Sequence, residues 1–209
     1  MINHLECQPL SSIPFQLAPN EVQIWFGSME LSDMAMRKMV AIISAEEYLQ
    51  ASRLRFSHNQ IHYIASHAIL RILLGFYLQL PANVIHFNVN AYGKPFLDHL
   101  DGNDPLKFNM SHSNCHVIYA FTYNHEIGID IEYIHSGRAD QQIAKQFFSP
   151  QEFEDLQTIS KEEKLQAFYA CWTRKEAYVK ARGIGLSLAL NSFSVSISPR
   201  DKEVKLSIH

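Results

Sequence analysis

Cysteine is nearly absent. Cys7, Cys115 and Cys171 are the only three in 209 residues, odd in number, far apart and without a CxxC pair. That count and spacing exclude a disulfide framework and a zinc ribbon, and they fit a reducing cytoplasm. Charge is also sparse: 18 Lys and Arg against 21 Asp and Glu leave a net charge of −3, which excludes a chain built to coat nucleic acid. No run of apolar residues is long. The stretch 69–80 is broken by Arg71 and too short to span a bilayer, and the start Met1-Ile2-Asn3-His4-Leu5-Glu6 lacks the basic and apolar regions of a signal peptide. The P-loop GxxxxGK[ST], the GxSxG elbow and HExxH are all missing, which removes the common signatures of nucleotide, acyl and zinc hydrolysis. His58 and His62 sit four apart, but with no third ligand nearby they read as surface histidines. Low-complexity segments and linkers are absent too. At 47% hydrophobic, the chain reads as one domain or two small, closely packed halves.

What is present is mixed α and β. Residues 21–26 alternate as a strand, 34–40 suit a short helix, and Ser44 caps a helix to about Arg53 with Glu46 and Glu47 in its first turn. Ser57 precedes a long helical pattern through Ile61, Ile64, Ala65, Ala68, Ile69, Ile72, Leu73 and Phe76, which Pro81 ends. Residues 84–89 are strand-like, followed by the turn 91–96. Residues 117–121 and 127–132 read as central strands. After a loop at 136–140, a helix is expected over 142–148. Ser149-Pro150-Gln151-Glu152 supplies an N-cap, an N1 proline and an N3 acid for the next helix. A longer helix over 162–181 stops at Gly183, and 193–197 and 204–208 close the chain as strands. Long helix, loop and strand occur in each half, 80–87 echoing 188–195. If this is a duplication, a ligand site belongs between the halves.

The chemistry gathers in two places. Alternation over 127–132 puts Asp130 and Glu132 on one face of an extended segment, about 7 Å apart. Two such carboxylates repel unless a cation or basic group stands between them, and all-oxygen ligands suit Mg²⁺. An exposed pair at a sheet edge is the plainer alternative. On the long helix Glu176 and Lys180 are four apart, with Trp172 one turn earlier. A surface ion pair is one reading. Completion of a cation site by Glu176, with Lys180 facing a phosphate, is the other. Lys94 lies in the turn Gly93-Lys94-Pro95, and Ser111 and His112 are able to meet an anion. A Ser111-His112-Asp130 hydrolase is ruled out because adjacent residues on an extended chain point opposite ways.

Three blocks in order carry a resemblance: Tyr92-Gly93-Lys94-Pro95; Phe108-Asn109-Met110-Ser111-His112-Ser113 leading to Gly128-Ile129-Asp130-Ile131-Glu132; and Trp172-Thr173-Arg174-Lys175-Glu176-Ala177-Tyr178-Val179-Lys180 with Gly183-Ile184-Gly185-Leu186-Ser187. Together they resemble the 4′-phosphopantetheinyl transferases of the longer, single-chain, surfactin-synthetase-activating type. The likeness runs from about residue 44 to 195. It implies an α/β (α+β) fold of two similar halves about a pseudo-twofold, each a small sheet on a long helix, divided here as 1–100 and 101–209. It implies Mg²⁺-dependent transfer of the phosphopantetheine arm from coenzyme A to a serine of an apo acyl or peptidyl carrier protein. The resemblance assigns Asp130, Glu132 and Glu176 to the metal and Lys180 to the pyrophosphate with Lys175 beside it. It sets Ser111 and His112 at the 3′-phosphate side of the nucleotide, and Tyr92, Gly93 and Lys94 at the adenine. Glu176 is the candidate base, directly or through a metal-bound water, the alternative being a purely ligand role. Gln50 stands where the family often has a basic residue for the 3′-phosphate, and Arg53 or Arg55 is the candidate replacement. Carrier docking is expected over 134–153, where Phe147, Phe148 and Phe153 supply either apolar surface or core. A monomer is expected, with neither nucleic acid nor membrane as partner. The competing functions are a catalytically idle coenzyme A or carrier-binding module and another Mg²⁺-dependent phosphotransferase or nuclease.

Overall fold

The computed structural model describes residues 2–5, 16–97, 106–137, 141–201 and 203–209. Cys7 and the second half of the 136–140 loop lie outside them. Strand β1 (Ile2–His4) runs parallel to β2 (Gln23–Ser28), β2 pairs antiparallel with β6 (His116–Tyr123), and β6 forms a hairpin with β5 (Leu106–Ser113). The two-residue hairpin turn has Asn114 at φ 54°, the left-handed backbone such a turn demands. The sheet order is β1-β2-β6-β5. Strands from both sides of residue 100 therefore share one sheet, so a division at that residue does not follow the hydrogen bonding.

Val117, Tyr119 and Phe121 alternate inward from β6 and are fully buried beside Trp25, the period-two signature of a strand with one covered face. The cover is α3 (Ser57–Leu78), joined to the sheet by Tyr119 Oη donating to Ser66 O at 2.8 Å. Helix α1 (Asp33–Val40) and helix α2 (Ala45–Ser52) pack on its outer side. Ser44 and Glu47 form a reciprocal capping box at the start of α2. On α3 the cap position is Phe56, with Ser57 already helical, one residue from expectation. By length and composition α3 is apolar enough to cross a membrane, longer than the interrupted run had suggested. Its most apolar stretch is 56% buried inside the protein, as a core helix is.

A small hairpin, β3 (Phe87–Val89) with β4 (Pro95–Leu97), follows. After the main sheet come α4 (Gln141–Phe147), α5 (Pro150–Thr158) and α6 (Lys161–Arg182), then the pair β7 (Phe193–Val195) and β8 (Leu206–Ile208). They enclose a second core of Phe148, Phe168, Cys171, Phe193 and Ile197. Phe147 and Phe153 pack against it partly buried, so all three candidate docking phenylalanines serve this core. The echo between halves is carried by matching elements. Helices α3 and α6 are each 22 residues long and end on a left-handed residue, Gln79 at φ 55° and Gly183 at φ 65°. Each follows a capping-box helix and leads into a three-residue strand, α3 through one short 3-10 turn and α6 through two.

Residues 127–132 correct the expectation of a second central strand. They form no strand ladder but lie as an extended strap between β5 and α6, held by side chains.

Candidate functional site

Strand β5 carries polar residues at every second position, Asn109, Ser111 and Ser113, on the face away from the sheet core. Asn109 Oδ1 accepts from Ile129 N at 2.9 Å, Ser111 Oγ donates to Asp130 Oδ1 at 2.8 Å, and Ser113 Oγ donates to Glu132 Oε2 at 3.0 Å while accepting from Tyr133 N at 2.9 Å. This row reads the strap in register, so Asp130 and Glu132 do share a face, as the alternation implied. The strap's other side touches α6. A methyl group at Gly128 would strike the Ala177 carbonyl oxygen and the Ala181 amide nitrogen, so only glycine allows this approach.

The approach brings Asp130 to α6. Lys180 Nζ lies 2.6 Å from Asp130 Oδ1 and 2.9 Å from Ser111 Oγ. The Asp130 side chain is only 5% exposed, and its Oδ2 is buried with no hydrogen-bond partner. A buried carboxylate oxygen left bare is costly unless a cation or donor visits it. Glu176 stands close enough to feel both strap carboxylates: burial first, then Asp130, push its pKa above the ordinary glutamate value, with Glu132 adding to and Lys180 opposing the rise. Three acids and one amine are thus brought together. No cluster of three potential metal-ligating side chains is preassembled among the described residues. By donor type the acids still suit a hard cation, and the bare Asp130 Oδ2 is an oxygen left open for one.

Glu176 and Lys180 also line a cleft of about 310 Å³ with Tyr92, Gly93, Lys94 and Asn109. The turn 90–94 is organised by Asn90, whose Oδ1 accepts from the amides of Tyr92 and Lys94, each at 2.9 Å, while its Nδ2 donates to Gly183 O at 2.7 Å. Gly93 sits at φ 86°, and a methyl group there would meet no atom within 4 Å, so its role is the turn itself. Tyr92 is exposed at the rim. Lys94 is at the cleft, but its amine is engaged by Glu126 Oε2 (2.7 Å), Ala181 O (3.1 Å) and Ile127 O (3.2 Å). It stitches the turn to the strap and to the end of α6 instead of reaching freely for an anion.

His112 faces the other side of β5 from the strap pegs. Its pKa is lowered by desolvation, then by the nearby His62 and Lys180, against a small rise from Glu132. His62, read as a plain surface residue, thus stands within electrostatic reach of the site, and His58 is 6.2 Å from it ring to ring. Two assignments change. Lys175 is fully buried; its Nζ meets Glu152 Oε2 at 2.8 Å and donates to Leu190 O at 2.8 Å and Phe193 O at 2.6 Å. All its donors are used, so it does not lie beside a pyrophosphate. Arg53 is the exposed C-cap of α2 and is not among the described residues lining the cleft; Arg55 and Gln50 are exposed as well.

Asn109, Ser113 and Gly128 stood in the sequence blocks without a role of their own, and Asn90 was not singled out. Polar residues at alternate positions of a strand that otherwise reads as buried were the available signal for the first two. Another cavity, of about 170 Å³, is lined by Glu132 together with Ile143, Phe168, Tyr169 and Trp172.

Residues 30–124 match the family described as 4′-phosphopantetheinyl transferase, N-terminal, and residues 126–206 match the 4′-phosphopantetheinyl transferase superfamily. The seam falls where the strap begins. The chain is 32% identical over 185 residues to the 4′-phosphopantetheinyl transferase HetI of Nostoc, spanning 88% of this chain and 78% of that one. It is 34% identical over 178 residues to the 4′-phosphopantetheinyl transferase Sfp of Bacillus subtilis, spanning 85% and 76%. Mouse L-aminoadipate-semialdehyde dehydrogenase-phosphopantetheinyl transferase is 27% identical over 195 residues, spanning 86% and 60%. Likeness at this level over most of the length, with both halves matched in order, makes the chain a member of the 4′-phosphopantetheinyl transferase family, an enzyme of the Sfp-like type.

Proposed function

We propose that this enzyme transfers the 4′-phosphopantetheine arm of coenzyme A to a serine hydroxyl of an apo acyl or peptidyl carrier protein, with Mg²⁺ required. The serine oxygen forms a bond to the β-phosphorus of the coenzyme, the bond from that phosphorus to the bridging oxygen breaks, and adenosine 3′,5′-bisphosphate leaves. The observation that carries the reading is Asp130: buried, bare at Oδ2, held at Oδ1 by Lys180 and Ser111, and coupled to Glu176 at the cleft wall.

Asp130, Glu132 and Glu176 would hold the cation, which when bound supplies positive charge to the diphosphate oxygens. Glu176 accepts the serine proton. Burial, then Asp130, raise its pKa, which makes its carboxylate a stronger base than a free glutamate. Lys180 offsets the negative charge that grows on the bridging oxygen leaving with the 5′-phosphate of adenosine 3′,5′-bisphosphate. Ser111 orients Asp130, and the 92–94 turn edges the nucleotide. His112, with His62 behind it, faces the 3′-phosphate. One chain supplies strap, helix and cleft, so the reading takes it to act as a monomer.

The test is intact-mass spectrometry of an apo carrier protein incubated with enzyme, coenzyme A and Mg²⁺. The expected result is one added phosphopantetheine, lost with a chelator and restored by Mg²⁺. Coenzyme binding with no mass gain on fatty-acid, polyketide and nonribosomal-peptide carriers would leave an idle binding module instead.

A further inference from the structure

Lys175 and Glu152 make a fully buried ion pair that the mechanism above does not use. Glu152 is bound on every side: its Oε2 accepts from Ser149 N at 2.7 Å in the capping box of α5, and its Oε1 accepts from Val195 N at 2.7 Å on β7. Lys175 reaches from α6 to the same carboxylate, to the carbonyls of Leu190 and Phe193, and over the Phe193 ring at 4.2 Å. Four elements of the second half meet at one amine. The first half has the same device. Arg71 on α3 meets Glu47 Oε2 at 2.7 Å, Glu47 caps Ser44 N at 2.8 Å, and Arg71 Nη1 donates to Ile85 O at 2.7 Å beside the Phe87 ring. A cation near the middle of the long helix, the N3 acid of the preceding helix and the carbonyls leading into the next strand are joined in each half.

The difference lies in the next residue along the helix. After Arg71 comes Ile72; after Lys175 comes Glu176. Successive helical residues point about 100° apart, so a helix whose rotation is pinned at Lys175 has Glu176 pinned toward the strap, which packs against the same helix at Ala177 and Ala181. Building on the function proposed above, we infer that the buried Lys175–Glu152 clamp is the positioning device for Glu176: it sets the rotation of α6 about its axis. Side chains extend about 5–6 Å from a helix axis, so a rotation of about 10° carries the Glu176 carboxylate about 1 Å. A misplacement of that size costs up to about 100-fold in rate.

The experiment compares Lys175→Met/Glu152→Gln, in which no unpaired charge is left buried, with Lys175→Arg and with Arg71→Met/Glu47→Gln in the other half. Measured are melting temperature, kcat and KM for coenzyme A. The amide resonances of Gly128 and Asp130 in the chain alone are followed too, since they report α6 against the strap without substrate or metal. The inference expects the Lys175/Glu152 double variant to fold, to lose at least 10-fold in kcat with KM within threefold, and to shift both resonances. Lys175→Arg should restore most of kcat, and the Arg71/Glu47 variant should change melting temperature but keep kcat within threefold. A folded Lys175/Glu152 variant with wild-type kcat or unmoved resonances overturns it, as does an equal kcat loss from the Arg71/Glu47 variant. Should wild type itself transfer no phosphopantetheine, the proposed function fails, and the resonances still decide the clamp's role.

Discussion

Gly128→Ala is the sharpest test of how the site is assembled. The new methyl carbon would lie 2.9 Å from the Lys180 carbonyl carbon and closer still to the Ala177 oxygen and Ala181 nitrogen. An ordinary carbon contact is about 3.5 Å, so the first clash alone needs about 0.6 Å of retreat and the nearer two need on the order of 1 Å. The clashing atoms are helix backbone, which has little freedom to yield. The strap must therefore lift, and Asp130, two residues on, moves with it. The 2.6 Å contact from Lys180 to Asp130 would stretch well past good hydrogen-bonding range. Overpacking of this kind costs about 1–3 kcal/mol of stability, and a 1 Å displacement of reacting groups costs about 100-fold in rate. The assay pairs kcat/KM for carrier modification with thermal melting, and Gly137→Ala serves as control because only the His135 ring, at 3.3 Å, is nearby. The expected result is a folded protein, lower in melting temperature and about 100-fold slower, beside an unaffected control. Transfer within threefold of wild type would refute the claim that the strap's contact with α6 places Asp130.

Glu176→Gln is expected to remove most turnover with Mg²⁺ saturating; near-normal transfer would discard both its base and ligand roles. Because burial and Asp130 raise the Glu176 pKa, the acid limb of the kcat/KM profile should lie above the ordinary glutamate range. The same shift means that its favourable contribution to stability is present below the unfolded-state pKa and fades as pH rises through the folded-state one. Thermal melts across that interval should show Glu176→Gln gaining on wild type as pH rises. Ser111→Ala removes a donor to Asp130 and an acceptor for the Lys180 amine; a loss of about 1–3 kcal/mol in transition-state stabilisation is expected, read as a fall in kcat. Coenzyme A should be preferred over its 3′-dephospho form, and His112→Ala should erase most of that preference; equal use by wild type would mean that subsite is absent.

Local chemistry was readable from the chain and distant partners were not. The Ser149-Pro150-Glu152 start of α5 and the glycine stop of α6 rest on caps within a few residues, and both stand as expected. The strap misled because alternation reports only which way side chains face. It does not tell whether a backbone finds a ladder partner, and here Asn109, Ser111 and Ser113 take that place with side chains. Strand β1 is three residues long and pairs in parallel with a strand some twenty positions on, too short a pattern to stand out. Lys175 was placed beside the pyrophosphate by the resemblance, as one more exposed cation on a charged helix. Its burial depends on carbonyls at Leu190 and Phe193, which no spacing within α6 announces. The acids and Lys180 were legible because reactive types recur at i, i+2 and i, i+4; the pegs, struts and clamp that aim them were not.

The matched long helices have a consequence for where the chemistry lies. Counted from their equal starts, α3 carries Ile72 and Phe76 where α6 carries Glu176 and Lys180. Two helices of equal length are thus unequal in chemistry. On the proposed function the centre for coenzyme and carrier lies at α6 alone, while α3, with Leu70, Leu73 and Leu74 buried and Phe76 exposed, serves the core behind the main sheet.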